Sequence, residues 1–237
     1  MTDAELLRKQ TPARIAVGRA GPRPTTKAWM NFRHAHAAAK DAVFSELSPS
    51  FIERFAGPLG MPVIQTLAAD RQEFILNPPK GKQTTAANIQ LIKNRCPSGK
   101  DVQIVICDGL SPLAIEATIE EILPMILEGL QIEKISTGLP ILVKHGRVAI
   151  ADQLSHALGA KLAINLIGER PGLSSGVGLS AYMTYNPGPH TISSDRTVVS
   201  NIHAGATPPV EAGAFVVHLA KIILEKRMSG VALQKLL

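Results

Sequence analysis

A chain of 237 residues, 45% hydrophobic and 19% charged, has the composition of a globular protein long enough for one large domain or a domain with a smaller appendage. The formal charge of +6 invites a nucleic-acid reading, but only Arg14, Arg19, Arg23 and Lys27 cluster, and at 4% the aromatics are too few to stack bases. No apolar run is long enough to cross a bilayer, and Cys96 and Cys107 have neither disulfide nor metal-site spacing, so nucleic acid, membrane and disulfide scaffold are set aside and the thiols read as reduced and intracellular.

In chain order, Asp3 to Gln10 reads as a short helix and TPARIAVGRAGPRPTT as irregular. Lys27 to Leu47 is rich in helix formers. Trp29, Phe32, His36, Ala39, Val43 and Phe44 recur near a helical period, which predicts a face packed on the body. A second helix is expected over Ser50 to Gly57, broken by Pro58, Gly60 and Pro62, with Asn77 to Lys82 as a connection. Residues 1 to 80 therefore read as a helical, loop-rich N-terminal portion, and residues 81–237 as a separate domain.

In that second part, Thr84 to Cys96 reads as a helix and Asp101 to Cys107 as a buried strand. Ser111 is a natural N-cap with Pro112 at the first helical position, so a helix runs on through Glu121, with Pro124 ending or kinking it. Ile141 to Lys144 is a strand, Gly146-Arg147-Val148 a loop or short strand, and Asp152 to Leu158 a helix stopped by Gly159. Lys161 to Ile167 and Thr197 to Ile202 are strands, and a long helix runs from Thr207-Pro208-Pro209 to Gly230. Alternating strands and helices predict an α/β fold with a doubly wound, mostly parallel sheet.

Ligands of such sheets sit outside the carboxyl ends of the strands. Three loops leave predicted strand ends and should gather there: Asp108 to Ser111, His145 to Val148, and Gly168-Glu169-Arg170-Pro171-Gly172. The last delivers a carboxylate and a guanidinium straight off a buried strand, which a passive turn does not need. The histidines suggest no metal site: His34 and His36 are two apart on a helix and face different ways. His203 reads as hydrogen-bonded within a turn, and Ser111 as a cap without a nucleophile elbow. Gly176-x-Gly178-x-x-Ala181 formally matches a dinucleotide fingerprint, the one support for an alternative reading as a nucleotide-binding oxidoreductase. It reads more simply as a flexible small-residue segment.

TPARIAVGRAGPRP, DVQIVICDGLS, VKHGRVAIADQ, LIGERPGLSS, DRTVVSNIHAG and TPPVEAGA occur in this order, and over roughly residues 11 to 230 the chain resembles the small (light) subunit of ethanolamine ammonia-lyase. The resemblance implies an adenosylcobalamin-dependent lyase that converts ethanolamine to acetaldehyde and ammonia. It implies a catalytic (β/α)8 large subunit as partner within a higher-order hetero-oligomer, and a Rossmann-like domain in this chain that covers the cobalamin. The cofactor contacts it implies fall on Val148, Glu169 and Val198, the last a position where relatives often carry Cys. No catalytic residue and no metal ligand is expected in this chain. The Asp-x-His-x-x-Gly motif that supplies cobalt with a protein ligand is absent, so the cofactor is expected to keep its own benzimidazole base. The Arg14 to Arg23 segment is expected to contact the large subunit or a neighbouring copy. The expected location is the cytoplasm, with encapsulation in a bacterial microcompartment left open.

Overall fold

The computed structural model describes residues 3–11 and 13–236; Pro12 of the TPAR stretch lies outside them. After helix α1 (Asp3–Gln10) come two two-residue strands, β1 (Arg19–Ala20) and β2 (Arg23–Pro24), paired antiparallel, then helices α2 (Thr26–Phe44) and α3 (Pro49–Ala56). The chain continues through β3 (Val63–Gln65), α4 (Arg71–Leu76), a 3-10 turn over Pro78–Lys82, α5 (Ala86–Arg95), β4 (Val102–Cys107) and α6 (Pro112–Ile132). It ends with β5 (Ile141–Lys144), α7 (Ile150–Ala157), β6 (Leu162–Gly168), β7 (Leu179–Tyr185), β8 (Arg196–Ile202), α8 (Pro209–Lys226) and α9 (Gly230–Gln234).

Among the described residues one sheet has six strands in the order β3-β5-β4-β6-β7-β8. The first four run parallel, and β7 pairs antiparallel with both β6 and β8. β4 and β6 are buried on both sides, as apolar runs such as VQIVIC require. On one face Ile104, Ile106, Leu166 and Met183 pack under α3, α6 and α8. On the other, Val105, Cys107 and Val143 pack under α5 and α7, through Ile92, Ile150 and Leu154. The mixed α/β architecture with helices on both faces agrees with the sequence. Both cysteines are free and buried. No helix among the described residues is long and apolar enough to cross a membrane.

Five expectations need correction. The stretch TPARIAVGRAGPRPTT, read as irregular, carries the short antiparallel pair of β1 and β2, with Arg19 opposite Pro24. Val63–Gln65, read as part of a helical portion, is the edge strand beside β5, in register Val63 to Leu142. The end of the segment read as flexible, up to Ala181, lies within β7 (Leu179–Tyr185). Helix α6 does not end at Pro124, one of the two outcomes expected there, but runs on to Ile132: burial of Ile122, Leu123, Ile126 and Leu130 outweighs the local cost of about 3 kcal/mol for an interior proline. The aromatic members of the α2 stripe do not face the body, although its Ala39 and Val43 are half-buried. Trp29 and Phe32 remain 50% and 37% exposed, stacked at 5.9 Å between ring centroids, and His36 continues the stack. The alanine side, with Ala35, Ala39 and Ala42, turns inward, because small side chains let the helix approach closely.

The base of β4 is pinned electrostatically. Asp101 accepts hydrogen bonds from Lys161 Nζ at 2.8 Å and from the Ser136 hydroxyl and backbone N–H at 2.6 and 3.0 Å. These partners, Lys161 foremost, hold its carboxyl at about 2. A depressed folded value adds stability that is fully present above the unfolded value near 4 and lost as pH falls through about 2. Urea midpoints measured from pH 5 to pH 2 are therefore expected to fall in the wild type and to fall less steeply over the same window in Asp101→Asn. Parallel curves would dismiss Asp101 as a source of acid sensitivity.

Candidate functional site

β4, β5 and β6 are adjacent and parallel, so their following loops leave the same edge of the sheet. One buried carboxylate ties two of them together. Asp108 Oδ2 accepts the His145 N–H at 2.9 Å, and its Oδ1 accepts the Gly146 N–H at 3.0 Å. The third loop joins through the Leu110 N–H, which donates to the Gly168 carbonyl at 3.0 Å. Gly109 has φ +56°, and a Cβ there would lie 2.2 Å from the Gly168 carbonyl oxygen. A Cβ on Gly168 would lie 2.1 Å from that of Ser111, so only glycines permit this contact.

Arg71, from α4, is 5% exposed and completes the block. Its Nη1 donates to the Gly109 carbonyl at 2.8 Å and sits 3.6 Å from Asp108 Oδ2, and its Nε donates to the Val43 carbonyl at 2.7 Å. Burial pushes the Asp108 carboxyl up, opposed by the His145 N–H, the Arg71 charge and the Gly146 N–H. Burial lowers Arg71, while the Asp108 charge raises it. Ser111 plays its expected part as N-cap, accepting from the Ala114 N–H, and its hydroxyl also donates to the Gly176 carbonyl at 2.6 Å.

Glu169 leaves β6 and bonds onward to the last two strands. Its N–H donates to the Gly178 carbonyl at 2.8 Å, and its Oε1 accepts the Asn201 N–H at 3.0 Å together with the Ser180 hydroxyl. Arg170, the neighbour with which an ion pair was conceivable, forms no salt bridge among the described residues. Asn201 takes φ +60°, a left-handed conformation that asparagine tolerates, and lies near a register shift between β7 and β8. His203 bonds within its turn as expected, to Asn201 Oδ1 at 3.1 Å and from the Gly205 N–H at 3.1 Å.

The register aligns a row on the α7 face of the sheet. Asn165 on β6 lies opposite Tyr182 on β7, and Tyr182 lies opposite Val198 on β8. Asn165 Nδ2 donates to the Val148 carbonyl at 3.1 Å, so Val148 begins the same row. Helix α7 covers this face over β4 and β6, but Val198 is 45% exposed and Ser200 is exposed too. Two residues before Val198 on β8, Arg196 Nη2 donates to Asp152 of α7, and both of these side chains are buried. Burial raises the Tyr182 phenol, and the Glu169 charge raises it further, so it stays a neutral donor at ordinary pH. Asn165 Oδ1 is buried and has no hydrogen-bond partner. The arrangement offers one anchored carboxylate, one unpaired amide oxygen, one phenol and a valine at either end.

The profile of the ethanolamine ammonia-lyase light chain family (EutC) matches residues 2–234, nearly the whole chain. The chain belongs to this family. As an ethanolamine ammonia-lyase light chain it is a subunit of a lyase and has a large-subunit partner. The light chain's dinucleotide-like glycines do not sit where such a fingerprint works. Gly178 precedes a strand and Ala181 lies inside it, so no helix N-terminus follows to hold a pyrophosphate. Of the light-chain residues in the row, Val148 and Val198 were expected only from the family resemblance, and Glu169 beside it from both the resemblance and its place after a buried strand. Asn165, Ser180, Tyr182 and Asn201 were not. The missed signal is the period-two alternation of Leu179, Ala181 and Met183 with Ser180, Tyr182 and Thr184, which marks a strand with one apolar and one polar face.

Proposed function

We propose that this light chain covers one side of adenosylcobalamin at its interface with the large subunit, with Val148, Glu169 and Val198 as contacts. Ethanolamine ammonia-lyases are in general cobalamin-dependent. The observation that carries the proposal is the half-open row on β6, β7 and β8, where a carboxylate is already braced and a buried amide oxygen lacks a partner. A corrin is a broad apolar ring fringed with amide side chains, which need acceptors for their N–H groups and apolar surface for the ring. The residues present fit that need. Glu169 Oε2 accepts no hydrogen bond from the described residues, and Asn165 Oδ1 is a second acceptor. Val148 and Val198 offer aliphatic surface.

Adenosylcobalamin supplies the radical chemistry by which ethanolamine becomes acetaldehyde and ammonia. This chain's residues bind and orient. Asn201 and Ser180 fix the Glu169 carboxylate, and Asn165 fixes the Val148 backbone. This chain carries no Asp-x-His-x-x-Gly motif that would supply a cobalt ligand, so its residues would hold the cofactor through its periphery. In this reading residues 81–237 are the Rossmann-like, cobalamin-covering domain, and residues 1–80 are a helical portion that adds β3 to its edge. The Arg14 to Arg23 segment contacts the large subunit or a neighbouring copy within a higher-order hetero-oligomer in the cytoplasm, with or without a microcompartment around it.

The test is co-expression with a candidate large subunit and an assay of ammonia release from ethanolamine. Release is expected only with both chains and adenosylcobalamin. Deamination by this chain alone, or a folded complex that stays inactive with cofactor, overturns the division of labour.

A further inference from the structure

Two strand-end loops send consecutive residues in different directions. Val148 and Glu169 serve the open row, whereas Arg147 and Arg170 enter a crevice at the carboxyl edge of the sheet, roofed by α2. Leu110, from the loop after β4, lines it as well, so all three loops contribute. Helix α6 follows β4 on one face and α7 follows β5 on the other, so connections diverge above these neighbouring strands. Diverging connections open the crevice in which α/β sheets bind ligands. Its volume is about 510 Å³, the size of a small-molecule site.

Its polar lining is cationic or protonatable. Arg147, Arg170, Lys40 and His36 converge on it, and no carboxylate lines it. Arg147 lies over the Phe74 ring, with its guanidinium carbon 4.2 Å from the centroid, and its Nη2 donates to the Phe74 carbonyl at 3.0 Å. Its Nε is buried without a partner. Arg147, Arg170 and Lys40 form no ion pair among the described residues. The nearby carboxylates are engaged elsewhere, Asp108 with Arg71, His145 and Gly146, and Glu169 with Ser180 and Asn201. Burial lowers the Arg147 pKa and the Arg170 charge lowers it further, with the Asp108 charge partly opposing them. At the rim, Arg14 Nη2 donates to the Leu173 carbonyl at 3.0 Å and brings in another cation. Several cations facing one concavity whose lining holds no carboxylate repel one another, and an anion relieves that repulsion. A tetrahedral oxoanion has enough acceptor oxygens for two guanidinium groups and an ammonium at once.

We propose that this crevice binds a phosphate-type oxoanion, either free phosphate or the phosphodiester in the nucleotide tail of a cobalamin. The second source rests on the proposed function; the first does not. Inorganic phosphate is titrated calorimetrically, at constant ionic strength in chloride, into the complex of this chain with its large subunit. Saturable binding is expected, weakened about tenfold or more in Arg170→Gln and in Lys40→Gln. Both side chains are exposed, so circular dichroism is expected to show folding intact. The titration is repeated after loading adenosylcobalamin or adenosylcobinamide, which lacks the nucleotide. Phosphate binding blocked by the first and not the second assigns the crevice to the cofactor's phosphodiester, and binding retained with both assigns it to free phosphate. No saturable phosphate binding, or binding unchanged in both variants, overturns the proposal, even where cobalamin binding itself succeeds.

Discussion

Asp108→Ala is expected to destabilise the chain by about 3–5 kcal/mol, the usual cost of removing one partner from a buried ion pair. The substitution takes away the acceptors for two buried backbone N–H groups, those of His145 and Gly146. It also leaves Arg71 as an interior cation whose remaining partners are carbonyl oxygens. Each loss detaches a strand-end loop from its neighbour, so the damage spreads to the edge of the sheet where the candidate site stands. Urea unfolding reads the change as a lower midpoint at an unaltered slope. Pairing Asp108→Ala with Arg71→Met separates the two causes: the double variant is expected to recover the part due to the orphaned charge and not the part due to the N–H groups. A loss below about 1 kcal/mol, the size of one ordinary hydrogen bond, would show that Asp108 does not hold the loops together.

Glu169 tests function and not stability. In the assembled complex, Glu169→Gln and Glu169→Ala are expected to weaken cobalamin binding by roughly 10- to 100-fold, the range that follows from about 1.5–3 kcal/mol for a hydrogen bond to a charged acceptor. Alanine is the worse of the two. Glutamine keeps an oxygen for the Asn201 N–H and the Ser180 hydroxyl, so the junction of β6, β7 and β8 stays braced. Alanine removes the brace as well as the charge. A titration followed by cobalamin absorbance gives the affinity without turnover, so a defect in the large subunit cannot imitate the result. Unchanged affinity in both variants removes Glu169 from the cofactor site.

The parts legible in the sequence are those governed by local chemistry. VQIVIC is apolar but for Gln103 and became a central strand, and Ser111-Pro112 marked the start of α6 to the residue. Glu169 stood out because a carboxylate directly after a buried strand is costly unless something uses it. What stayed hidden depends on distant parts of the chain. The partners of Glu169, Ser180 and Asn201, are fixed by the registers of β6 with β7 and of β7 with β8, which no local window contains. Pro124 reads as a breaker only while the burial of its helix on the sheet is unknown. The stripe on α2 was a real periodicity, but a period says that two sides differ and not which one meets the body. Arg170 drew attention as a charge leaving a buried strand and Arg147 only as a neighbour of Val148, but their convergence was hidden because it requires β4, β5 and β6 to stand side by side.

The position of β3 also has a consequence for how the chain is made. β3 borders the sheet through β5 alone, with Val63 against Leu142. On the ribosome, that partner is synthesised long after β3 has emerged, and β4 and α6 come out in between. Val63–Gln65 therefore stays an unpaired edge while the central strand and its covering helix assemble, and it joins a sheet already begun. Such late, non-local pairing slows folding and prolongs the time that strand edges lie open to other chains. Expression conditions that slow aggregation should therefore act on the N-terminal third of the nascent chain, before the strand that completes it exists.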